Sequence, residues 1–429
     1  MIALAPHPYR PLFEALQAKP APEWLIALRE TALERFERHG LPSSALENWK
    51  YTPLTPLATL AARRAEEGEV AVTAAAVDAL SHGRWAAARY VFVNGVSHPE
   101  LGYGAEGIQG LTVRPWIQAA DVRKALRDDM NEHGVEPFAD LNDALREDGL
   151  LIQCAAQREL DKPIHVLWIT AGKTAGVVSS PFLQVRAGEL SRLHVVEQHV
   201  SLGDFQSHSN AFARLEGAAG SSIIHTLLIE GEAAAVHTGA LTCRLERDAK
   251  AYLQSFSFGG GWIRNDVRVT LADKGAECTL DGLYLAKGTE QVDNHTTIIH
   301  QKPHGTSRQL YKGVLDGAAT GTFNGRIVVP EDAQKTDSSQ SNHNLLLSAD
   351  ATVNTKPQLE IFADDVKCAH GATVGQLDAE SLFYFRARGI GEREARAMLT
   401  QAFALEITGK VTVPELRKAL EEKVFEWIS

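Results

Sequence analysis

The sequence predicts a mainly β chain with α-helical regions at both ends, and three observations carry that prediction. From His165 to Val329, short runs rich in Val, Ile, Thr, Phe and Tyr recur between Gly, Asp and Asn punctuation, the texture of successive strands. On either side of that block, apolar residues return at three-and-four spacing, the period of an amphipathic helix. The 429 residues are too many for a single ordinary core unless the architecture is elongated, so two or three domains are expected.

Helical periodicity opens the chain between about Phe13 and His39. Leu25, Leu28, Ala32, Leu33 and Phe36 share a face, Arg and Glu fill the other, and Gly40 and Pro42 stop the run. Glu47 to Thr52, followed by Pro53 and Pro56, reads as a loop anchored by Trp49 and Tyr51. Ala61 to Glu67 reads as a short charged helix or linker. Arg89 to Asn94 is the first strand, ended by Gly95, and a mixed helical segment returns between Ile117 and Leu145, including Asp121 to Met130 and Phe138 to Leu145.

The β block then supplies His165–Thr170, Leu190–Val196, Ile223–Ile229, Leu241–Leu245, Tyr252–Phe258, Val267–Leu271, Cys278–Leu285, Thr296–His300, Leu310–Leu315 and Arg326–Val329. From Ile223–Ile229 onward, strand centres fall roughly 11 to 19 residues apart, longer than the 8 to 12 typical of sandwiches and barrels. That spacing leaves room for more than one strand per turn of a solenoid, in which stacked coils bury a continuous core. No strict repeat is visible, so periodicity leaves a sandwich and a solenoid open. After a polar, turn-rich entry from Lys335, Pro357 to Phe362 is strand-like, and Cys368-Ala369-His370-Gly371 follows.

Beyond Gly375 the chain turns helical. Asp378 caps a helix running to Arg388, with Gly389 as the left-handed residue that ends it. Ala395, Met398, Leu399, Ala402 and Phe403 form the apolar stripe of a second helix, closed by Gly409. Thr412-Val413-Pro414-Glu415 has capping-box spacing ahead of a third, with Leu416, Leu420, Val424, Trp427 and Ile428 on one side. Three short helices cannot bury all of this among themselves, so they are expected to pack on the end of the β block, on another subunit, or on both.

Composition narrows the function. A net charge of -11 without a Lys/Arg-rich run speaks against a nucleic-acid binder. The four cysteines, Cys154, Cys243, Cys278 and Cys368, form no CxxC pair, which suggests a reducing compartment and no disulfide framework. The N-terminus lacks a basic start followed by a long apolar run, and no segment of about 18 apolar residues occurs, so the expectation is a cytoplasmic protein without a membrane span. Ala171-Gly172-Lys173-Thr174 ends like a phosphate loop, but Leu167 stands where that motif requires Gly and no helix pattern follows. Gly259-Gly260-Gly261-Trp262 likewise precedes no helix and reads as a turn between closely approaching coils. The histidines of the β block, His194, His199, His208, His225, His237, His295, His300 and His343, show no ligand spacing and read as structural.

Cys368 and His370 are the chemically interesting pair. On an extended segment, side chains two apart share a face, roughly 7 Å apart along the chain. The plain alternative is a buried thiol beside a hydrogen-bonded histidine at a domain junction. Two groups cannot complete a site that needs about four ligands, so any ligand role requires a second polypeptide. Phe383-Tyr384-Phe385 is the other marked feature. Successive helical residues rotate by about 100°, so three adjacent aromatics cannot all face inward, and at least one is left as an interface anchor beside Arg386 and Arg388.

The segments AQKTD (Ala333–Asp337), NLLLS (Asn344–Ser348), KPQLEI (Lys356–Ile361), DDVKCAHGATVG (Asp364–Gly375) and LFYFRARGI (Leu382–Ile390) resemble the SufB/SufD family of iron-sulfur cluster assembly scaffolds, in its SufD branch. Weaker matches at Glu47–Thr52, Asp281–Tyr284, Tyr311–Leu315 and Phe323–Arg326 extend the resemblance over nearly the whole chain. It implies a right-handed parallel β-helix core over residues 87–374, including the helical segment at about 117–145. An N-terminal helical region would cover 1–86 and a C-terminal helical domain 375–429.

The resemblance also implies a non-catalytic subunit that pairs with a SufB paralogue and binds SufC, an ABC-type ATPase, through the C-terminal helices. Isolated, the chain can pair with a second copy of itself. No cofactor is expected to be held stably by this chain alone. A transient iron-sulfur cluster would be shared with SufB, with His370 as the main group and Cys368 as its auxiliary. The expected ATPase contacts are Leu382, Phe383, Tyr384, Phe385, Arg386, Arg388, Gly389, Met398 and Phe403. Reduced flavin has been associated with complexes of this family, but no flavin motif is present and no site is predicted. SufB itself fits less well, because its cysteine-rich pattern is missing. The rival from another class is a β-helix polysaccharide lyase or hydrolase using Asp266, Asp281 and Asp293, for which nothing in the sequence fixes the three carboxylates on one face.

Overall fold

The computed structural model describes residues 7–66, 68–104, 107–118 and 136–428. Its core is a parallel β-solenoid of about 8 turns, flattened between two sheets. In spatial order the first sheet runs β2 (Val96–Ser97), β1 (Ala88–Val93), β5 (Ile164–Ala171), β8 (Arg192–Leu202), β10 (Ser222–Gly231), β12 (Lys250–Gly259), β14 (Glu277–Ala286), β16 (Thr306–Leu315), β18 (Asp337–Leu346) and β20 (Lys367–Gly375). The second runs β3 (Leu111–Pro115), β4 (Leu150–Cys154), β7 (Phe182–Ala187), β9 (Ser207–Gly217), β11 (Ala235–Leu245), β13 (Trp262–Leu271), β15 (Gln291–His300), β17 (Thr320–Val329) and β19 (Thr352–Ile361), with β6 (Val177–Ser179) also paired to β9.

Every pairing along these sheets is parallel except β1 with β2 and β3 with β4. From β8 onward the chain alternates between sheets. Equivalent positions are 26 residues apart where Val236 meets Trp262 and 32 apart where Thr320 meets Thr352. The spacing that allowed two strands per coil is thereby realised.

Alternation of side chains sends one set of each strand into a shared interior. Leu193, Ile223, Ala251 and Cys278 line it from the first sheet, and Leu215, Cys243, Val269 and Ile327 from the second. The outward sets are largely buried too, because helices cover both sheets. On the second sheet, α1 (Arg10–Gln17), α2 (Glu23–His39) and α5 (Pro137–Leu145) pack Phe13, Phe36 and Leu141 with Val178, Val236 and Trp262. α3 (Thr55–Ala58) adds Leu57 to the same cluster. On the first sheet, Val77 of α4 (Ala74–Leu80) meets Val91, Leu167 and Val200. Further along that face, α7 (Glu392–Thr408) and α8 (Pro414–Ile428) lay Ala404, Ile407, Leu416, Leu420 and Val424 on Val196, Leu228, Phe256, Leu283 and Val314.

Polar staples fix these layers. Arg264 donates to the Asn48 carbonyl (2.9 Å) and to Asp293 (2.8 Å), with its guanidinium 4.0 Å from the Trp49 ring centroid. On the opposite face Lys312 donates to the Phe403 carbonyl (3.0 Å), and Lys410 to Asp281 (3.1 Å), whose carboxylate also accepts from Tyr252 (2.6 Å). The Gly259–Gly261 turn does serve close approach: a Cβ on Gly261 would stand 2.1 Å from the Ala233 carbonyl oxygen.

Several expectations are corrected. The N-terminal helix is two helices, because Pro20 and Pro22 break it between Gln17 and Glu23. Tyr51 is exposed, so Trp49 alone anchors the Glu47–Thr52 loop. Of the two readings of Ala61–Glu67, the linker holds over the described residues 61–66, where Arg63 bridges to Val177. Of the helical segment at 117–145, α5 is described, whereas Asp121–Met130 lies outside the described residues.

In α7 the buried stripe is Ala395, Thr400, Ala404, Ile407 and Thr408, while Met398 is exposed, since the small Ala and Thr side chains let the helix approach the sheet. α7 and α8 cover the flank of the first sheet rather than the end of the solenoid. β2, β3, β4, β6, β7, β9 and β18 were not anticipated. β18 in particular, DSSQSNHNLL, reads as turn-rich because Asp, Asn and Ser are poor strand formers in general, yet here it pairs along its whole length.

Candidate functional site at the C-terminal end of the solenoid

β19 and β20 are the last strands of their sheets, so each offers one side of its backbone N–H and C=O groups outward. β20 carries Cys368 and His370. Its register sets Cys368 beside Ser338 and His370 beside Gln340, and both of those partners are buried in the interior. The two ligand-type side chains therefore share the inward face of the final rung, where no further rung covers them. Cys368 is half-buried and packs on the core, while His370 is exposed. Burial raises the Cys368 thiol pKa, opposed by a hydrogen bond from the Ser338 backbone.

Along the columns that end at these residues, the interior changes character. The column to Cys368 reads Ala251, Cys278, Ser307, Ser338, Cys368. Its outer part is a hydroxyl ladder: His300 Nε2 lies 3.0 Å from Ser307 Oγ, which lies 2.7 Å from Ser338 Oγ. The His300 pKa is pushed down to about 4 by burial, so the ring is neutral. The column to His370 reads Leu253, Leu280, Gln309, Gln340, His370. Here Gln309 Nε2 crosses the interior to donate to Thr296 Oγ1 (2.7 Å), and Gln340 Nε2 donates to Gln309 Oε1 (2.7 Å). Asn344 donates to Asn342 (2.6 Å) in the columns beside it. Ser338, Gln340, Asn342 and Asn344 were missed as interior residues, although their strict alternation through β18 was a period-two signal.

Exposed apolar residues flank the same end: Ile361, Phe362 and Val374 are 38%, 65% and 49% accessible. α6 (Ala379–Arg386) leaves it, capped by Asp378 and followed by Gly389 at φ +83. α6 buries no residue. Phe383 and Tyr384 are 72% and 56% accessible, Leu382 and Phe385 are half-buried, and Arg386 and Arg388 are exposed, the latter stacked 3.5 Å over the Tyr384 ring. Phe403 differs from these: it packs on the first sheet with Lys312 4.1 Å from its ring centroid.

The remaining singled-out groups are dispersed. Asp266 and Asp293 sit on the second sheet, both paired with Arg264, while Asp281 lies on the first, paired with Lys410. His199 and His225 both contact Glu197 (3.1 and 2.9 Å), which holds that buried carboxylate in its charged form. His194 contacts Thr226, His208 contacts Tyr9 and Thr238, His295 contacts Asp293, and His343 contacts Thr373. The His237 ring packs 5.0 Å from that of His199. Among the described residues, no group of three or more His, Cys, Asp or Glu side chains is arranged to hold a metal ion, and no helix is long and apolar enough to cross a membrane.

Residues 169–403 match the family described as SUF system FeS cluster assembly, SufBD core domain. The iron-sulfur cluster assembly protein SufD of Escherichia coli is 33% identical over 92% of this chain and 90% of its own length. A SufBD family protein of Synechocystis is 28% identical over 93% of this chain and 90% of its own length. The chloroplastic protein ABCI7 of Arabidopsis thaliana is 30% identical over 65% of this chain and 60% of its own length. With the domain match spanning the coils, the open end and most of α7, this chain belongs to the SufBD family of iron-sulfur cluster assembly proteins.

Proposed function

We propose that this chain is a non-catalytic, cytoplasmic scaffold subunit that completes its last rung against a SufB-type paralogue and takes its motion from a SufC-type ABC ATPase. The observation that carries the reading is the unfinished C-terminal end, with two open strand edges, an apolar rim, and one thiol and one imidazole on the inward face. Open edges are templates for pairing with another chain. In this reading the nascent cluster is cargo, held transiently between His370, with Cys368 as auxiliary, and groups of the paralogue. An imidazole suits iron as a neutral nitrogen ligand.

ATP is hydrolysed by the partner, because Gly172–Thr174 lies in the turn between β5 and β6 and leads into no helix. The aromatic and arginine side chains of α6 supply the docking surface, while α7 and α8 are the anchor. Lys312, which ties α7 to β16, stands two strands from β20, in register with His343 and then Thr373. A pull on α6 thus has a short mechanical route to the rung that carries His370.

His370→Ala is expected to leave the reconstituted three-protein complex assembled while lowering cluster yield; an unchanged yield removes His370 from the mechanism. Phe383→Glu is expected to release the ATPase without shifting the melting temperature, and full retention of the ATPase rejects α6 as its dock. Substitution is preferable to deleting the helices, because α7 and α8 cover apolar side chains of the first sheet.

A further inference from the structure

We infer that Gln340 is a positioning residue for His370: its carboxamide oxygen accepts the imidazole N–H and fixes the ring as one tautomer, leaving the other nitrogen's lone pair at the open end. The inference rests on the reading of His370 given above. It starts from an unpaired atom. Gln340 is 1% accessible, its Nε2 is engaged by Gln309, and its Oε1 is buried without a hydrogen-bond partner. A buried acceptor left unpaired is costly, because it has lost its water and gained no bond in return.

The surroundings are built for this side chain. Gly325, on the opposite sheet, has no Cβ, and one placed there would stand 2.2 Å from Gln340 Nε2. The amide is thereby admitted into the interior. The ladder also has a direction. Gln309 Nε2 donates to Thr296, and Gln340 Nε2 donates to Gln309 Oε1, so the Gln309 carboxamide oxygen takes its proton from the next rung toward the open end. The next rung after Gln340, on the same inward column, is His370. Adjacent strands lie about 4.8 Å apart, the step that the Gln309–Gln340 bond already spans. An imidazole N–H on that rung can supply the missing donor, and the ring gives up only one nitrogen in doing so. Which ring nitrogen carries the proton is set by the bond the other makes, and such an outer partner orients a ligand and fixes its tautomer.

The test is the tautomer of His370, read from ring nitrogen shifts of the full chain labelled with 15N-histidine. The signal is assigned by its loss in His370→Ala, and spectra are taken at a pH where the rings are neutral. Wild type is expected to show one tautomer. Gln340→Leu is expected to show the mixture found for free histidine, and Gln340→Glu, which retains an acceptor oxygen, to restore the single form. A wild-type ratio equal to that of free histidine overturns the inference, as does the same single tautomer in wild type and Gln340→Leu. Should Gln340→Leu not fold, the wild-type ratio decides alone. Cluster yield is a separate readout. Loss of yield in His370→Ala together with a free-histidine ratio in wild type removes Gln340 and leaves the proposed function standing. A fixed tautomer with normal yield in His370→Ala keeps Gln340 as the orienting group and removes the cluster role.

Discussion

The two ends of the solenoid are finished in opposite ways. At the N-terminal end the first sheet stops on β2, only two residues long, and the second on β3, each turned antiparallel to its neighbour. The interior there is plugged with apolar and aromatic side chains: Phe92 stacks on Trp168 at 4.2 Å, and Tyr90, Leu111 and Val113 pack behind it. At the C-terminal end both final strands are long and parallel, and the inward column runs out through Gln309, Gln340 and His370. A short reversed strand gives little backbone for another chain to extend, whereas a long regular edge invites a partner. Polar interior rungs are tolerated because Ser307, Gln309, Ser338, Asn342 and Asn344 each find a hydrogen-bond partner nearby, while Gln340 Oε1 does not.

The comparison can be broken first at the closed end. Phe92→Ala removes a ring that is 3% accessible and is expected to cost about 3 to 5 kcal/mol, read as a lower urea midpoint. A cost under about 1 kcal/mol would show that this end is not a packed plug.

A smaller effect comes from protons. Burial pushes the His194 pKa down to about 4, with the His225 charge acting in the same direction. In the unfolded chain the ring titrates near 6.5, so the contribution of a neutral His194 is fully present above pH 6.5 and is lost as pH falls toward 4. Glu136, pushed up to about 8, and Asp140, to about 6, work in the opposite sense, so the informative quantity is a difference between variants. Between pH 7.5 and 5.5, wild type is expected to lose about 1 kcal/mol more stability than His194→Gln. Parallel pH profiles would show that His194 is not held neutral.

The smallest effect on folding belongs to the open end. Val374→Lys is expected to change stability by no more than about 0.5 kcal/mol, while abolishing the proposed pairing with a SufB-type paralogue in size-exclusion chromatography with light scattering. A loss of stability as large as that of Phe92→Ala would mean that this edge is already covered within the chain.

The amino-acid sequence by itself determined the texture of the fold. β-branched and aromatic runs between turn residues specify strands, and three-and-four spacing specifies α2, α7 and α8, since both are local periods that one segment carries without its neighbours. The pairing of Cys368 with His370 on one face is equally local, as is the excess of adjacent aromatics in α6. What stacks beside each rung is not local. Coils of 26 to 33 residues vary in length, so no fixed repeat announces that Gln309, Gln340 and His370 share a column. β18 spells a turn by propensity and becomes a strand because backbone pairing and interior hydrogen bonds outweigh that preference. Which face of α7 is buried, and which end of the solenoid stays open, were likewise settled only when distant segments met, because burial depends on the neighbour and not on the residue.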